Sequence, residues 1–401
     1  RDVAEQEGVQ TTTTTWQFTD GTCDQRVRVE VLTGSLPVGD ERLVSGEACT
    51  EDSPALLARA LRVSIAPREW ARAGVLPPPG RMATAYRDHL VAIARSLVTL
   101  PGVRGAGDYA RGEGIVTNLE FDTTLGFVRL GLAVGDHDLL ARGAWSARHL
   151  VDHDLDRESG LPFCHGPDHR ANPPEPGHCW LHGVLLTGCV LADDDLLAGA
   201  ASIARGLARH PRVRPQRRAH DRARDVGWPL HELEVFLRFR AEPAVRRAAD
   251  ALAAELLARF DPRAGVVRFG EGERRGGYEE RALVTGGILI PALRAYAERT
   301  GDARARAVVA ESEARLLHLL RRGQQGIPIR YFVGRDGLGR ELRLSGTAEA
   351  FLVLEGLAAA DLPRVLARGQ VAACLEGVPR ADADDVATQF SIAARCTWVL
   401  R

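Results

Sequence analysis

The chain has 401 residues, 45% of them hydrophobic, and a formal net charge of −1. This length allows one large domain or two medium ones, and the apolar content is enough for a large core. The balanced charge gives no reason to expect nucleic acid or a charged membrane surface as a partner. No apolar run reaches the length of a membrane span.

Residues 1–80 are predicted to form a β-rich N-terminal arm with one short helix. Residues 27–31 alternate apolar and charged side chains, which is the pattern of a half-buried strand. A run of threonines at 11–15 favours either an exposed edge strand or a disordered arm. An edge strand offers a route to homo-oligomers through pairing between subunits. The helix is expected from Ser53-Pro54, and Pro77-Pro78-Pro79-Gly80 marks the end of the arm.

Residues 81–401 are predicted to form one mainly α-helical domain built from helical hairpins. Apolar residues recur at helical spacing, and short turns such as Gly135-Asp136 and Gly301-Asp302 join helices in pairs. The last helix is expected to pack against the first and close a ring. The predicted helices span 82–100, 119–134, 138–151, 179–191, 195–208, 230–240, 244–260, 278–299, 303–320, 347–359, 362–374 and 384–400.

The connections between these pairs are much longer than the turns within them. Antiparallel pairs joined in this way place all the long loops at one end of the domain. Long loops in compact domains are usually functional. One of them, 321–346, also carries a hairpin signal around Arg335-Asp336-Gly337. We therefore expect the site at the rim formed by these loops and by the first helix of each pair.

The stretch from Phe121 to Phe163 resembles a hairpin of the six-hairpin (α/α) toroid superfamily. It reads T-T-L-G-F-V-R-L-G-L-A-V-G-D-H-D-L-L-A-R-G-A-W-S-A-R-H-L and continues into a D-x-x-S-G-L-P segment. The segments around Gly301-Asp302 and Gly346–Glu349 are similar to parts of the same architecture. The resemblance covers about residues 82–401 and implies a glycoside hydrolase, polysaccharide lyase or sugar epimerase. An α-solenoid or a helical bundle without a site is the alternative.

Acidic residues at the predicted rim are candidates for acid and base catalysis. Glycoside hydrolysis needs two carboxylates that flank the bond, one protonated and one ionised. Glu120, Asp122, Glu232 and Glu279 are the candidates. Each has an alternative role, because an acidic side chain in the first turn of a helix stabilises the helix dipole.

A lyase needs a base and a cation instead. Tyr278 or His231 would be the base, and the arginine-rich loop with Arg217 and Arg218 would meet an anionic polysaccharide. A solvated loop in an arginine-rich protein is the simpler explanation of that loop. Trp180 and Trp228 are candidates for stacking on a sugar, with burial in the core as the alternative.

A third group of candidates gathers in residues 163–183, where Cys and His side chains are concentrated. A Cys/His set is typical of zinc, so the cofactor is expected to be none or a divalent metal, zinc above all. A disulfide between the two cysteines, or a free reactive thiol, is the alternative. The Cys164-His165-Gly166 triplet resembles one in lanthionine cyclases, zinc enzymes on a helical toroid; the likeness covers three residues. The candidate ligands are Cys164, His165, His169, His178, Cys179 and His182.

The leading interpretation is a carbohydrate-active enzyme, a glycoside hydrolase or polysaccharide lyase acting on an extracellular, anionic or neutral polysaccharide or oligosaccharide. The seven cysteines and a first residue, Arg1, that is not Met favour a secreted, periplasmic or cell-surface protein. Two other functions stay open. One is a non-catalytic structural or assembly protein that uses its N-terminal strand for subunit contacts, and the other is a Cys/His metalloprotein.

Overall fold

The computed structural model describes residues 84–99, 107–111, 115–210, 224–263 and 285–321, together with short segments at 2–6, 9–13, 29–30, 62–63, 266–267, 277–278, 333–334, 390–391 and 394. Helices dominate this part of the chain. They are α1 Thr84–Ser96, α2 Thr123–Val134, α3 His137–His149, α4 His182–Leu191, α5 Asp194–Arg209, α6 Arg224–Phe239, α7 Pro243–Arg259, α8 Ile290–Thr300 and α9 Ala303–Arg321.

The helices form antiparallel hairpins, and three of the hairpin turns use the same caps. Gly135 ends α2 in the left-handed conformation, and the Asp136 carboxylate then accepts from two backbone N–H groups at the start of α3. Ala192 and Asp193 repeat this arrangement between α4 and α5. Between α8 and α9, Gly301 has the left-handed conformation, and the Asp302 carboxylate accepts from one backbone N–H group, that of Ala305. The left-handed residue satisfies the last carbonyls, and the aspartate satisfies the first amides of the next helix.

The hairpins stand side by side in chain order. The first helices of the pairs, α2, α4, α6 and α8, contact one another in sequence, and the second helices pack outside them. The C-terminal segment returns to α2, where Phe390 packs on Phe127 at 4.9 Å between ring centroids and Ser391 hydrogen-bonds Thr123. This is the toroid expected from the sequence. The described residues of this segment contact α2, and the packing predicted between 384–400 and the helix at 82–100 stays a prediction.

Short antiparallel strand pairs accompany the helices. The N-terminal arm contains β1 Asp2–Gln6 with β2 Val9–Thr13, and β3 Val29–Glu30 with β4 Arg62–Val63. In the helical domain, β5 Ala110–Arg111 pairs with β6 Ile115–Val116, and β7 Phe260–Asp261 with β8 Val266–Val267. The division at residues 80 and 81 stays a prediction.

The helix predicted over 278–299 begins later than expected. Tyr278 lies in β9 Gly277–Tyr278, which pairs with β10 Val333–Gly334, and a π-helical turn Thr285–Leu289 then leads into α8. Cross-strand pairing therefore overrides the helical pattern at this residue. The rest of the hairpin predicted in 321–346, the helices predicted at 347–359 and 362–374, and most of 384–400 lie outside the described residues.

The core lies between the inner and outer helices. Trp180 and Trp228 are 1% and 0% exposed, and both pack against Phe121. Among the described residues, no helix combines the length and the apolar character that a membrane span requires.

Candidate active site

A polar pocket lies where three loops reach the N-terminal ends of the inner helices. Glu120 precedes α2, His178 precedes α4, and Arg224 is the first residue of α6. The cavity has a volume of about 480 Å³. Its lining is Glu120, Cys164, His165, Asn172, Pro173, Glu175, His178 and Arg224.

Glu120 is presented by an unusual backbone. Asn118, Leu119, Phe121 and Asp122 all have positive φ angles between 45° and 64°. Such conformations are costly for non-glycine residues and persist only where the surroundings hold them. The buried Asp108 carboxylate provides this support, because it accepts from the backbone N–H groups of Asn118 at 2.9 Å and Leu119 at 3.3 Å.

Glu120 is surrounded by three nitrogen-bearing side chains. Its Oε2 lies 3.6 Å from His165 Nδ1. Its Oε1 lies 3.5 Å from His178 Nδ1 and 3.7 Å from Arg224 Nη2. Arg224 Nη2 also lies 3.3 Å from His178 Nδ1, where the guanidinium is the donor and the imidazole accepts. The carboxylate therefore faces one guanidinium and two imidazoles although its side chain is only 4% exposed.

The groups of the pocket differ in their access to solvent. The side chains of His165, Arg224 and Glu175 are 29%, 24% and 32% exposed, whereas His178 is 8% exposed. A ligand in the cavity would meet the first three side chains, with Glu120 and His178 behind them.

Cys164 lies beside His165, with 3.6 Å between Sγ and Nδ1. Burial, together with the charges of Glu175 and Glu120, raises the pKa of the Cys164 thiol to about 11. Cys179 is fully buried, and its thiol donates to the carbonyl of Glu175 at 3.2 Å. Both cysteines are free thiols, so the disulfide considered for this pair does not form in the structure. Cys23, Cys49, Cys374 and Cys396 lie outside the described residues.

Three of the six predicted metal ligands come together. The donor atoms of Cys164, His165 and His178 lie within 4.8 Å of one another. His169 belongs to a different cluster with Asp154. The ring of His182 faces that of His231, with 6.4 Å between their centroids.

The carboxylates of Asp122 and Glu232 are buried and accept hydrogen bonds from backbone N–H groups. Asp122 accepts from Leu125 N at 3.0 Å and from Gly183 N at 2.8 Å. Glu232 Oε2 accepts from the backbone N–H groups of Leu181 and His182, each at 3.0 Å. Asp122 caps its own helix, which is the alternative role given for acidic residues at the rim. Glu232 instead lies within α6 and caps the start of α4.

The remaining predicted residues lie apart from the pocket lining or outside the description. His231 and Trp228 are on α6, and Trp180 precedes α4; both tryptophans belong to the core. Tyr278 is placed only by its backbone in β9. Arg217, Arg218 and Glu279 lie outside the described residues.

Three polar residues of the pocket lining were not predicted from the sequence: Glu175, Asn172 and Arg224. Arg224 was one member of an arginine-rich loop, and nothing in that run distinguished it from its neighbours. Glu175 and Asn172 follow the Cys/His stretch in a proline-rich loop. Their position in one of the long loops predicted to form the rim is the sequence feature that could have identified them.

Comparison with solved structures identifies the fold. A polysaccharide lyase superimposes with a TM-score of 0.51 at 11% identity, covering 78% of this chain and 97% of the other. Cellobiose 2-epimerase from Spirochaeta thermophila superimposes with a TM-score of 0.53 at 14% sequence identity, covering 80% of this chain and 98% of the epimerase. Cellobiose 2-epimerase from Bacillus thermoamylovorans superimposes with a TM-score of 0.51 at 9% sequence identity, covering 73% of this chain and 85% of the epimerase. No family model and no curated protein matches the sequence. These similarities show the (α/α) toroid fold.

Proposed function

From this shared toroid fold, we propose that the chain is a carbohydrate-active enzyme whose reaction takes place in the Glu120 pocket, and that it is a polysaccharide lyase acting on an acidic sugar. The observation that carries the proposal is the grouping of an accessible imidazole, a buried carboxylate and an accessible guanidinium in one polar cavity. The solved structures with this fold are named as a lyase and as epimerases of a disaccharide, which supports a carbohydrate substrate.

His165 is the proposed general base. Its Nδ1 faces the Glu120 carboxylate at 3.6 Å, which leaves Nε2 as the nitrogen that takes a proton from the substrate. A carboxylate beside an imidazole orients the ring and stabilises the imidazolium that forms. The separation is longer than a hydrogen bond, as is common before a substrate binds.

Arg224 is the proposed partner of the substrate carboxylate. A guanidinium binds a carboxylate with two parallel N–H donors, and this neutralisation acidifies the neighbouring C–H bond. In the elimination, His165 takes the proton at C5 of a uronate and the electron pair forms the C4–C5 double bond. The C4–O4 bond breaks, and O4 receives the proton from protonated His165.

Hydrolysis is the competing reaction. It would use Glu175 and Glu120 as the two carboxylates, of which one must be protonated to act as an acid. Glu120 fits this acid role poorly, because its side chain is only 4% exposed and lies behind the more accessible side chains of the pocket.

The experiment is an assay on uronate-containing and neutral polysaccharides with two readouts. A lyase produces an unsaturated uronate, detected by its ultraviolet absorbance, whereas a hydrolase produces new reducing ends without that absorbance. His165→Gln and Arg224→Met should each lower the lyase rate by about 100-fold or more. His89→Gln and Arg238→Met, at exposed positions, are the matched controls and should keep the rate. Unchanged turnover in both pocket variants would remove the assignment.

A second candidate function is a metal-dependent enzyme at the same pocket, with Cys164, His165 and His178 as ligands. The favouring observation is the 3.6 Å between Cys164 Sγ and His165 Nδ1. A tetrahedral zinc ion bound to one sulfur and one nitrogen separates these atoms by about 3.6 Å. Three protein ligands with a fourth position open to a cavity are typical of catalytic zinc.

Metal analysis separates the two functions. The metal-dependent enzyme should contain about one equivalent of zinc that Cys164→Ser removes, and its activity should be lost together with that zinc. A lyase rate that survives chelation would exclude a catalytic metal.

A further inference from the structure

A second cluster of ligand-type side chains lies behind the pocket and has no part in the proposed function. It consists of Asp108, His149, Asp154 and His169, whose donor atoms all lie within 4.8 Å of one another. The side chains of Asp108, His149 and Asp154 are fully buried, and that of His169 is 14% exposed. We propose that these four residues form a structural binding site for a divalent metal ion.

The distances between donor atoms fit a central cation. His149 Nε2 and His169 Nδ1 are 3.4 Å apart, and they lie 3.3 Å and 2.8 Å from Asp154 Oδ1. His169 Nδ1 lies 3.8 Å from Asp108 Oδ2. Two ligands bound about 2.1 Å from a metal are separated by about 3.0–3.4 Å in octahedral or tetrahedral geometry. Two of the four distances, 3.3 and 3.4 Å, lie in this range, one at 2.8 Å lies below it, and one at 3.8 Å lies above it.

Hydrogen bonds explain only part of the cluster. Asp154 Oδ1 can accept from both imidazoles, but Asp154 Oδ2 is buried and has no hydrogen-bond partner among the residues that the structure describes. Asp108 Oδ2 is too far from His169 Nδ1 for a hydrogen bond. A buried carboxylate oxygen without a partner is costly, and a bound cation would satisfy it.

The charges of the cluster also favour a divalent cation. Two ionised carboxylates would balance a +2 ion bound by neutral imidazoles. Two nitrogens and two oxygens suit zinc or another first-row metal, and full burial of three of the four ligands suits a structural site.

This site would fix the loop that carries the pocket. Asp108 Oδ2 accepts from Asn118 N, and the Asn118 side-chain amide donates to the carbonyls of Cys164 at 3.3 Å and His169 at 3.0 Å. A metal holding Asp108 and His169 would therefore join the turn that presents Glu120 to the loop that presents His165.

The experiment titrates metal-stripped protein with Zn²⁺ alone and Co²⁺ alone. The Cys164→Ser variant is used, so that the pocket cluster loses its thiolate. We expect about one equivalent of bound metal, a cobalt spectrum without a thiolate charge-transfer band, and a rise in Tm. His169→Gln and Asp154→Asn, made in the same background, should weaken binding by about tenfold or more. His153→Gln, a neighbour outside the cluster, should leave it unchanged.

Two outcomes would overturn the proposal. One is the absence of tight Zn²⁺ or Co²⁺ binding to folded Cys164→Ser protein, a result that does not depend on whether the cluster variants fold. The other is equal binding in His169→Gln and its parent. Neither outcome affects the result of the lyase assay. The metal-site proposal and the proposed function are therefore tested independently.

Discussion

The buried carboxylate of Asp122 accepts a hydrogen bond from the backbone N–H of Gly183 at 2.8 Å, which joins the start of α2 to the start of α4. The same carboxylate caps its own helix through Leu125 N. One side chain therefore fixes two neighbouring inner helices at the end where the pocket lies.

Asp122→Ala is expected to destabilise the protein by about 2–4 kcal/mol, because it leaves two buried amides without acceptors. Asp122 also has a φ of 64°, which alanine tolerates poorly. Asp122→Asn keeps an acceptor oxygen and should lose less. Chemical denaturation measures both, with exposed Asp138→Ala as the control. A full loss of activity in Asp122→Asn at unchanged stability would instead indicate a catalytic carboxylate.

Gly183→Ala tests the close approach of the two helices. A Cβ at this position would lie 2.2 Å from Asp122 Oδ1 and 2.5 Å from Leu125 N. The helix starts would have to separate, and we expect a loss of about 1–3 kcal/mol. Gly126→Ala is the milder comparison, because its nearest contacts would be 3.2 Å and 3.3 Å. Equal unfolding free energies for the two variants would contradict this packing.

Variants of Glu232 test whether this acidic residue of the rim caps a helix or takes part in catalysis. Glutamine retains an oxygen that can accept from Leu181 N and His182 N, so Glu232→Gln should keep most of both stability and activity. Glu232→Ala should lose about 2–4 kcal/mol of unfolding free energy. If Glu232→Gln lost activity by 100-fold or more with its unfolding curve unchanged, the capping role would be wrong.

Arg299 on α8 joins three helices through two acidic partners. It makes a bidentate pair with Glu234 of α6 at 2.7 Å and 2.8 Å and contacts Asp250 of α7 at 2.9 Å. Glu234 is 1% exposed, so Arg299→Ala would leave a buried charge unpaired and cost about 3 kcal/mol. Arg238→Ala, which breaks an exposed pair with Glu298, should cost less than about 1 kcal/mol. Similar costs for the two variants would contradict this account.

Much of the fold could be predicted because local signals carry it. The glycine of each turn, Gly135-Asp136 and Gly301-Asp302, marks the end of one helix, and the aspartate marks the start of the next. The ring then follows from the alternation of short turns and long loops. Tyr278 shows the limit of this reasoning, since its strand depends on a partner at Val333 that is 55 residues away.

The site was harder to predict, because burial decides the role of each charged side chain. Glu120 and Asp122 are two residues apart and look alike in the sequence. The left-handed backbone turns Glu120 toward two imidazoles and Asp122 toward the amide of Gly183. Similarly, His165 and His169 are four residues apart but belong to different clusters. A loop conformation of this kind leaves no periodic signal in the sequence.

The central claim is that a sugar binds where the inner helices begin. A crystal structure of the His165→Gln variant with an acidic oligosaccharide that the wild type cleaves tests it most directly. We expect the sugar in the Glu120 pocket, with its carboxylate on Arg224 and its C5 beside residue 165. A sugar bound at the opposite end of the helices, beside turns such as Gly135-Asp136, would contradict the account.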